Sequence, residues 1–101
     1  MSLFKSLFGP KTDYRELLSQ GAVIVDVRSE GEFRGGHIKG SKNIPLDQLS
    51  SKASKLPKDK AIICCCASGV RSGSAKGMLK SKGFQEVYNG GGWRSLQSKI
   101  S

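Results

Sequence analysis

The stretch Ile62–Phe84, IICCCASGVRSGSAKGMLKSKGF, carries the reading of this chain. With Ala61 it opens as a short apolar run, Ala61–Cys65, the pattern of a strand buried in a sheet. Ser72–Lys82 reads as a helix that closes at Gly83 in a left-handed cap. A Gly/Ser-rich turn joins the two, and three adjacent cysteines stand where strand meets turn. Arg71 can be counted from two of them, as Cys66-x4-Arg71 or as Cys65-x5-Arg71. These are two different anion cradles.

Outward from this unit the chain alternates apolar runs with amphipathic stretches, the signature of a layered α/β domain. Asp13–Gln20 is expected to be helical, with Asp13 and Glu16 at capping-box spacing and Gly21 ending the segment. Ala22–Val27, AVIVDV, is β-branched at nearly every position, which predicts a second buried strand. Ser29–Arg34 is a short helix with Ser29 and Glu32 as another S-x-x-E box. A short strand is expected near Asn43 and Ile44, stopped by Pro45. Apolar residues at 46, 49, 53 and 56 have helical spacing. Glu86–Asn89 reads as the last strand, Gly90–Gly92 as a turn where backbone approaches backbone, and Trp93–Lys99 as a terminal helix. The expected fold is α/β, a mainly parallel central sheet flanked by helices on both faces.

The chain has 101 residues, enough for one core and short for two. The opening MSLFKSLFGPK is split by Lys5 and ended by Pro10, which predicts a short arm over 1–11 ahead of a domain over 12–101. No run approaches the roughly 20 apolar residues of a membrane span, and no secretory pattern is visible. A cytoplasmic protein without membrane attachment is expected. Adjacent cysteines make a poor disulfide framework, so thiols are expected. With His37 as the single histidine, they make a poor zinc site as well. Neither metal nor organic cofactor is expected. The net charge of +9 favours anionic partners, among them an acidic protein. No aromatic-interleaved basic stripe points to nucleic acid.

The chemistry lies in the turn. Successive N–H groups there can converge on an anion, and the following helix adds partial positive charge at the same point. A cysteine so placed has its thiolate favoured. Arg71 adds a fixed charge and a planar fork for an oxyanion, and Gly69 gives the freedom a tight loop needs. From Cys66 the glycine falls at the third position and Arg71 at the fifth.

CASGVRSGSA, from Cys66, resembles the active-site loop of single-domain rhodaneses, whose pattern is C-x-x-G-x-R-S. Asp26–Leu46, DVRSEGEFRGGHIKGSKNIPL, is similar to that family's D-V-R…E-F…G-H-I-x-G-A-x-N-I-P segment, with Ser41 in place of the usual Ala. VYNGGGWRSL is similar to its closing region. The resemblance implies a thiosulfate sulfurtransferase without a cofactor. It makes Cys66 the sulfur carrier and Arg71 the group that holds a small anionic donor. Ala67, Ser68, Gly69 and Val70 would supply backbone, and Ser72 stands at the helix start. Cyanide, a thiol or a protein cysteine would accept the sulfur. Asp26 and Arg28 are read as an ion pair or a brace for the loop, and His37 as a hydrogen-bonded packing residue. Cys64 and Cys65 are read as small packing residues, with a resolving thiol as the alternative. Two rival functions stay open: a phosphatase or arsenate reductase using Cys65-x5-Arg71, and a non-enzymatic sulfur-relay module.

Overall fold

Strand alternation sets the layers. The computed structural model describes residues 12–101, so the expected arm lies outside the described residues. In chain order these form α1 (Tyr14–Ser19), β1 (Val23–Asp26), α2 (Glu30–Arg34), β2 (Lys42–Asn43) and α3 (Leu46–Lys52). There follow a 3-10 turn (Ala53–Lys55), β3 (Ile62–Cys66), α4 (Val70–Ser81), β4 (Val87–Gly92) and α5 (Trp93–Ile100). All four strands pair in parallel in the order β2-β1-β3-β4. The central pair, β1 and β3, is covered above and below, which explains its unbroken apolar sequence.

Successive side chains of a strand point to opposite faces. Val25, Val27, Ile62, Cys64 and Cys66 pack with Leu49 of α3, Ala75 and Leu79 of α4, and Phe84. Ile24, Ile63 and Cys65 meet Leu96 of α5, with Leu17 and Leu18 of α1 against them. Helices therefore cover both faces of the sheet. Burying an aliphatic side chain as completely as Leu79 or Leu96 contributes about 1.5–3 kcal/mol.

Several details depart from expectation. At α1 only half of the box forms: Glu16 N donates to Asp13 Oδ1, while the Glu16 carboxylate accepts from Gln20 Nε2. At α2 both halves form between Ser29 and Glu32. The helical spacing through residue 56 breaks, as α3 gives way to the 3-10 turn at Ala53. Helix α4 starts at Val70, two residues before Ser72. Gly90–Gly92 form no separate turn; they are the end of β4. Cys64 pairs with Asn89 and Cys65 with Gly91, so Gly90 is an extra residue that shifts the register there.

Among the described residues no helix is long and apolar enough to cross a membrane, and no cluster of His, Cys, Asp or Glu could hold a metal ion.

Candidate active site

The last residue of β3 is Cys66, and the backbone turns sharply after it. Gly69 takes φ +103°, a left-handed conformation that L side chains rarely adopt, and becomes the N-cap of α4. This folds the loop back so that its amides face the sulfur. Gly69 N donates to Cys66 Sγ at 3.0 Å and Ser72 N at 3.4 Å. Ser72 Oγ lies 3.4 Å from the same sulfur. The residue is 1% exposed. Burial pushes its thiol up, but the Ser72 hydroxyl and the amides of Ser72, Gly69 and Ser68 outweigh it and hold the thiol below its ordinary value.

The Ser72 hydroxyl has one hydrogen and two claimants. Asn89 Oδ1 accepts it at 2.6 Å, a shorter contact than the one to sulfur. The same Asn89 oxygen accepts from Gly91 N at 2.9 Å, and Asn89 Nδ2 donates to Gly69 O at 3.0 Å. Both ends of the amide are thereby committed, and its oxygen faces Ser72. The backbone amides have no competing acceptor and carry the stabilisation of a thiolate.

The other two cysteines are inaccessible. Cys64 faces α3 and α4, and Cys65 lies on the opposite side of the sheet against Leu96. Burial drives each thiol up to about 12, so both stay protonated. The count from Cys65 to Arg71 has no counterpart in space, because the Cys65 side chain points to the face opposite Cys66 and its loop. All three cysteines are free.

Arg71 does not extend its fork over the sulfur. Its Nη1 and Nη2 donate to Glu32 Oε1 and Oε2 at 2.7 and 3.0 Å, a bidentate pair with both side chains 38% exposed. Glu32 is held from behind, since Ser29 N and Ser29 Oγ donate to its Oε1 at 3.0 and 3.1 Å. The Arg71 guanidinium, helped by the Ser29 amide, lowers the Glu32 carboxyl from 4.5 to about 2. Glu32 raises Arg71 in turn, and negative charge on Cys66 adds to that rise through space.

Behind the loop, Arg28 and Asp26 form a buried pair. Arg28 Nε donates to both carboxylate oxygens at 2.9 and 3.0 Å, and Nη2 to Oδ2 at 2.6 Å. Arg28 also donates to the carbonyls of Glu32 and Gly36 and stacks 4.8 Å from the Trp93 ring centre. It thereby ties β1 to α2 and α5. His37 is exposed, stacked on Phe33 with its Nδ1 2.7 Å from Phe33 O. Ala67, Ser68 and Val70 rim the loop and are exposed; at 75%, Val70 is the one large apolar side chain so open among the described residues.

The rhodanese-like domain family matches residues 11–99. The chain belongs to this family. Thiosulfate sulfurtransferase GlpE of Ectopseudomonas mendocina is 37% identical over 88% of this chain and 80% of the relative. The uncharacterized protein YqhL of Bacillus subtilis is 42% identical over 78% of this chain, which spans only 64% of YqhL. The putative sulfur carrier protein YrkF, also of Bacillus subtilis, is 37% identical over 81% of the chain and 42% of YrkF. In three dimensions the human single-domain sulfurtransferase TSTD1 superposes with TM-score 0.71 at 30% identity, covering 87% of this chain and 92% of that one.

Two residues of this rhodanese-like site escape a reading of the loop alone. Glu32 is legible only as a cap, and Asn89 only as the end of a strand. A polar residue closing an apolar strand directly before three glycines is the signal for Asn89. The further signal for Glu32 is its place in the E-F pair of the family-like segment, which does not name a partner 39 residues away.

Proposed function

We propose that this domain is a sulfurtransferase that moves a sulfane sulfur from thiosulfate or a persulfide donor to a thiophilic acceptor through a persulfide on Cys66. The observation that carries the reading is the Cys66 sulfur at the focus of the Gly69 and Ser72 amides. The thiolate attacks the outer sulfur of the donor; the donor's sulfur–sulfur bond breaks and its electron pair leaves with sulfite or with the carrier thiolate. The new persulfide keeps the amide donors of the parent thiolate. A thiol, cyanide or protein cysteine then removes the outer sulfur, restoring Cys66. Two half-reactions on one nucleophile predict ping-pong kinetics. The guanidinium of Arg71 lends positive charge to the entering donor, in competition with Glu32. No metal or organic cofactor is needed for these steps. The family and the GlpE relatives support the reading.

The test is intact-mass analysis after exposure to thiosulfate and to a persulfide donor, followed by cyanolysis. One added sulfur atom mapping to Cys66, lost on cyanide treatment and absent in Cys66→Ser, is expected. Cys64→Ser and Cys65→Ser should each lose about 1–3 kcal/mol of stability, as a hydroxyl enters an apolar site, yet still take up the sulfur. An adduct that survives in Cys66→Ser would overturn the assignment.

A second reading is a relay module that accepts persulfide from one protein and hands it to another, possessing little activity on small donors. Exposed Val70 beside the loop mouth favours it, as does the similarity to YrkF. Fast transfer from a protein persulfide with slow thiosulfate turnover would distinguish it.

A further inference from the structure

We infer that Glu32 is a specificity-determining residue: by filling the Arg71 fork it selects against dianionic sulfur donors and in favour of persulfides, which carry less charge. This rests on the sulfurtransferase reading above and adds the donor class. The planar guanidinium is the group in the loop best suited to an oxyanion, and both arms engaged by Glu32 are those an oxyanion would need. Glu32 is not free to swing aside. Its Oε1 also receives the Ser29 amide and hydroxyl, so displacing it gives up the side-chain half of the α2 capping box, while Glu32 N keeps its bond to Ser29 Oγ. Its carboxyl, lowered to about 2 by the Arg71 guanidinium and the Ser29 amide, is ionised at neutral pH.

Charge balance then separates the donors. Thiosulfate brings a dianion to a thiolate, and attack on its outer sulfur yields a persulfide anion and a sulfite dianion. A persulfide on an uncharged carrier brings at most one negative charge, and its electrophilic protonated form, R–S–SH, brings none. The thiolate attacks its terminal sulfur, that S–S bond breaks, the electron pair departs on R–S⁻, and the proton stays on the transferred sulfur. Arg71 and Glu32 together contribute no net charge at the loop mouth, which suits the second reaction. For the first, thiosulfate must both meet a carboxylate and take Arg71 from it. The exposed rim of Ala67, Ser68 and Val70 carries no charge either, and accommodates a neutral carrier.

The experiment compares Glu32→Gln with the parent protein, using thiosulfate and a persulfide formed on mercaptoethanol, an uncharged carrier. Gln at this position preserves the cap. The expected result is a rise of roughly three- to tenfold in the ratio of kcat/KM for thiosulfate to that for the persulfide, carried by KM for thiosulfate. Higher salt should shrink the difference between the two proteins. Glu32→Ala provides the same comparison should the first variant fold poorly. An unchanged donor ratio overturns the inference, as does an equal fall with both donors, which would make Glu32 a support for Arg71. Failure of the parent protein to acquire sulfur on Cys66 from either donor is a different result and sinks the sulfurtransferase reading itself.

Discussion

At the scale of single residues, the sulfur at position 66 differs from its two neighbours by what faces it. Cys64 and Cys65 see hydrocarbon, while Cys66 sees N–H groups. The Ser72 hydroxyl is the lesser contributor, since Asn89 claims its hydrogen. Ser72→Ala should therefore move the pH profile of Cys66 alkylation upward only slightly, leaving it below that of an unperturbed thiol. The sign follows from the thiolate being the reactive form: losing a donor destabilises the anion, so a higher pH is needed for the same rate. Alkylation with iodoacetamide across pH 5–10 measures this. A variant that titrates like a free cysteine would put the hydroxyl, and not the amides, in charge.

At the scale of elements, the loop is shaped by the strand beside it. The extra residue in β4 sets Gly91 and Gly92 against Cys65 and Cys66. A Cβ on Gly92 would stand 2.8 Å from Ala67 O, a backbone atom that cannot rotate away. Gly92→Ala should push the loop off the sulfur and cost about 1–3 kcal/mol, the usual penalty for overpacking. Thermal denaturation should register the loss, and sulfur uptake by Cys66 should fall with it; full uptake would mean that the loop tolerates the displacement. The strands were legible because β-branched runs leave little else for β1 and β3 to be. The glycine run reads locally as a turn where backbone approaches backbone; the close approach is there, at Ala67, but the run ends β4, since a register shift leaves no mark in local composition. The break in α3 likewise follows from packing, with Ala53 and Leu56 drawn into the core by contacts that helical spacing does not encode.

At the scale of the whole molecule, Asp26 and Arg28 link the sheet to α2, the helix that carries Glu32, and to Trp93 at the start of α5. Removing one member of a buried pair leaves the other charge uncompensated. Asp26→Ala should cost about 3–5 kcal/mol in urea denaturation. A loss below about 1 kcal/mol would show that the pair is dispensable to the fold.

The sequence by itself determined the layered α/β order and the alternation that puts Cys64 and Cys66 on one face and Cys65 on the other. It also determined the strand–loop–helix unit that places an amide ring after Cys66. These are local properties, set by side-chain period, β-branching and glycine, and they need no distant partner. What only the tertiary structure decided is who occupies the polar groups of that unit. Arg71 meets Glu32 across 39 positions and Ser72 meets Asn89 across 17. Such pairings depend on how strands and helices are brought side by side, because a guanidinium or a hydroxyl will bond whichever acceptor the fold delivers to it.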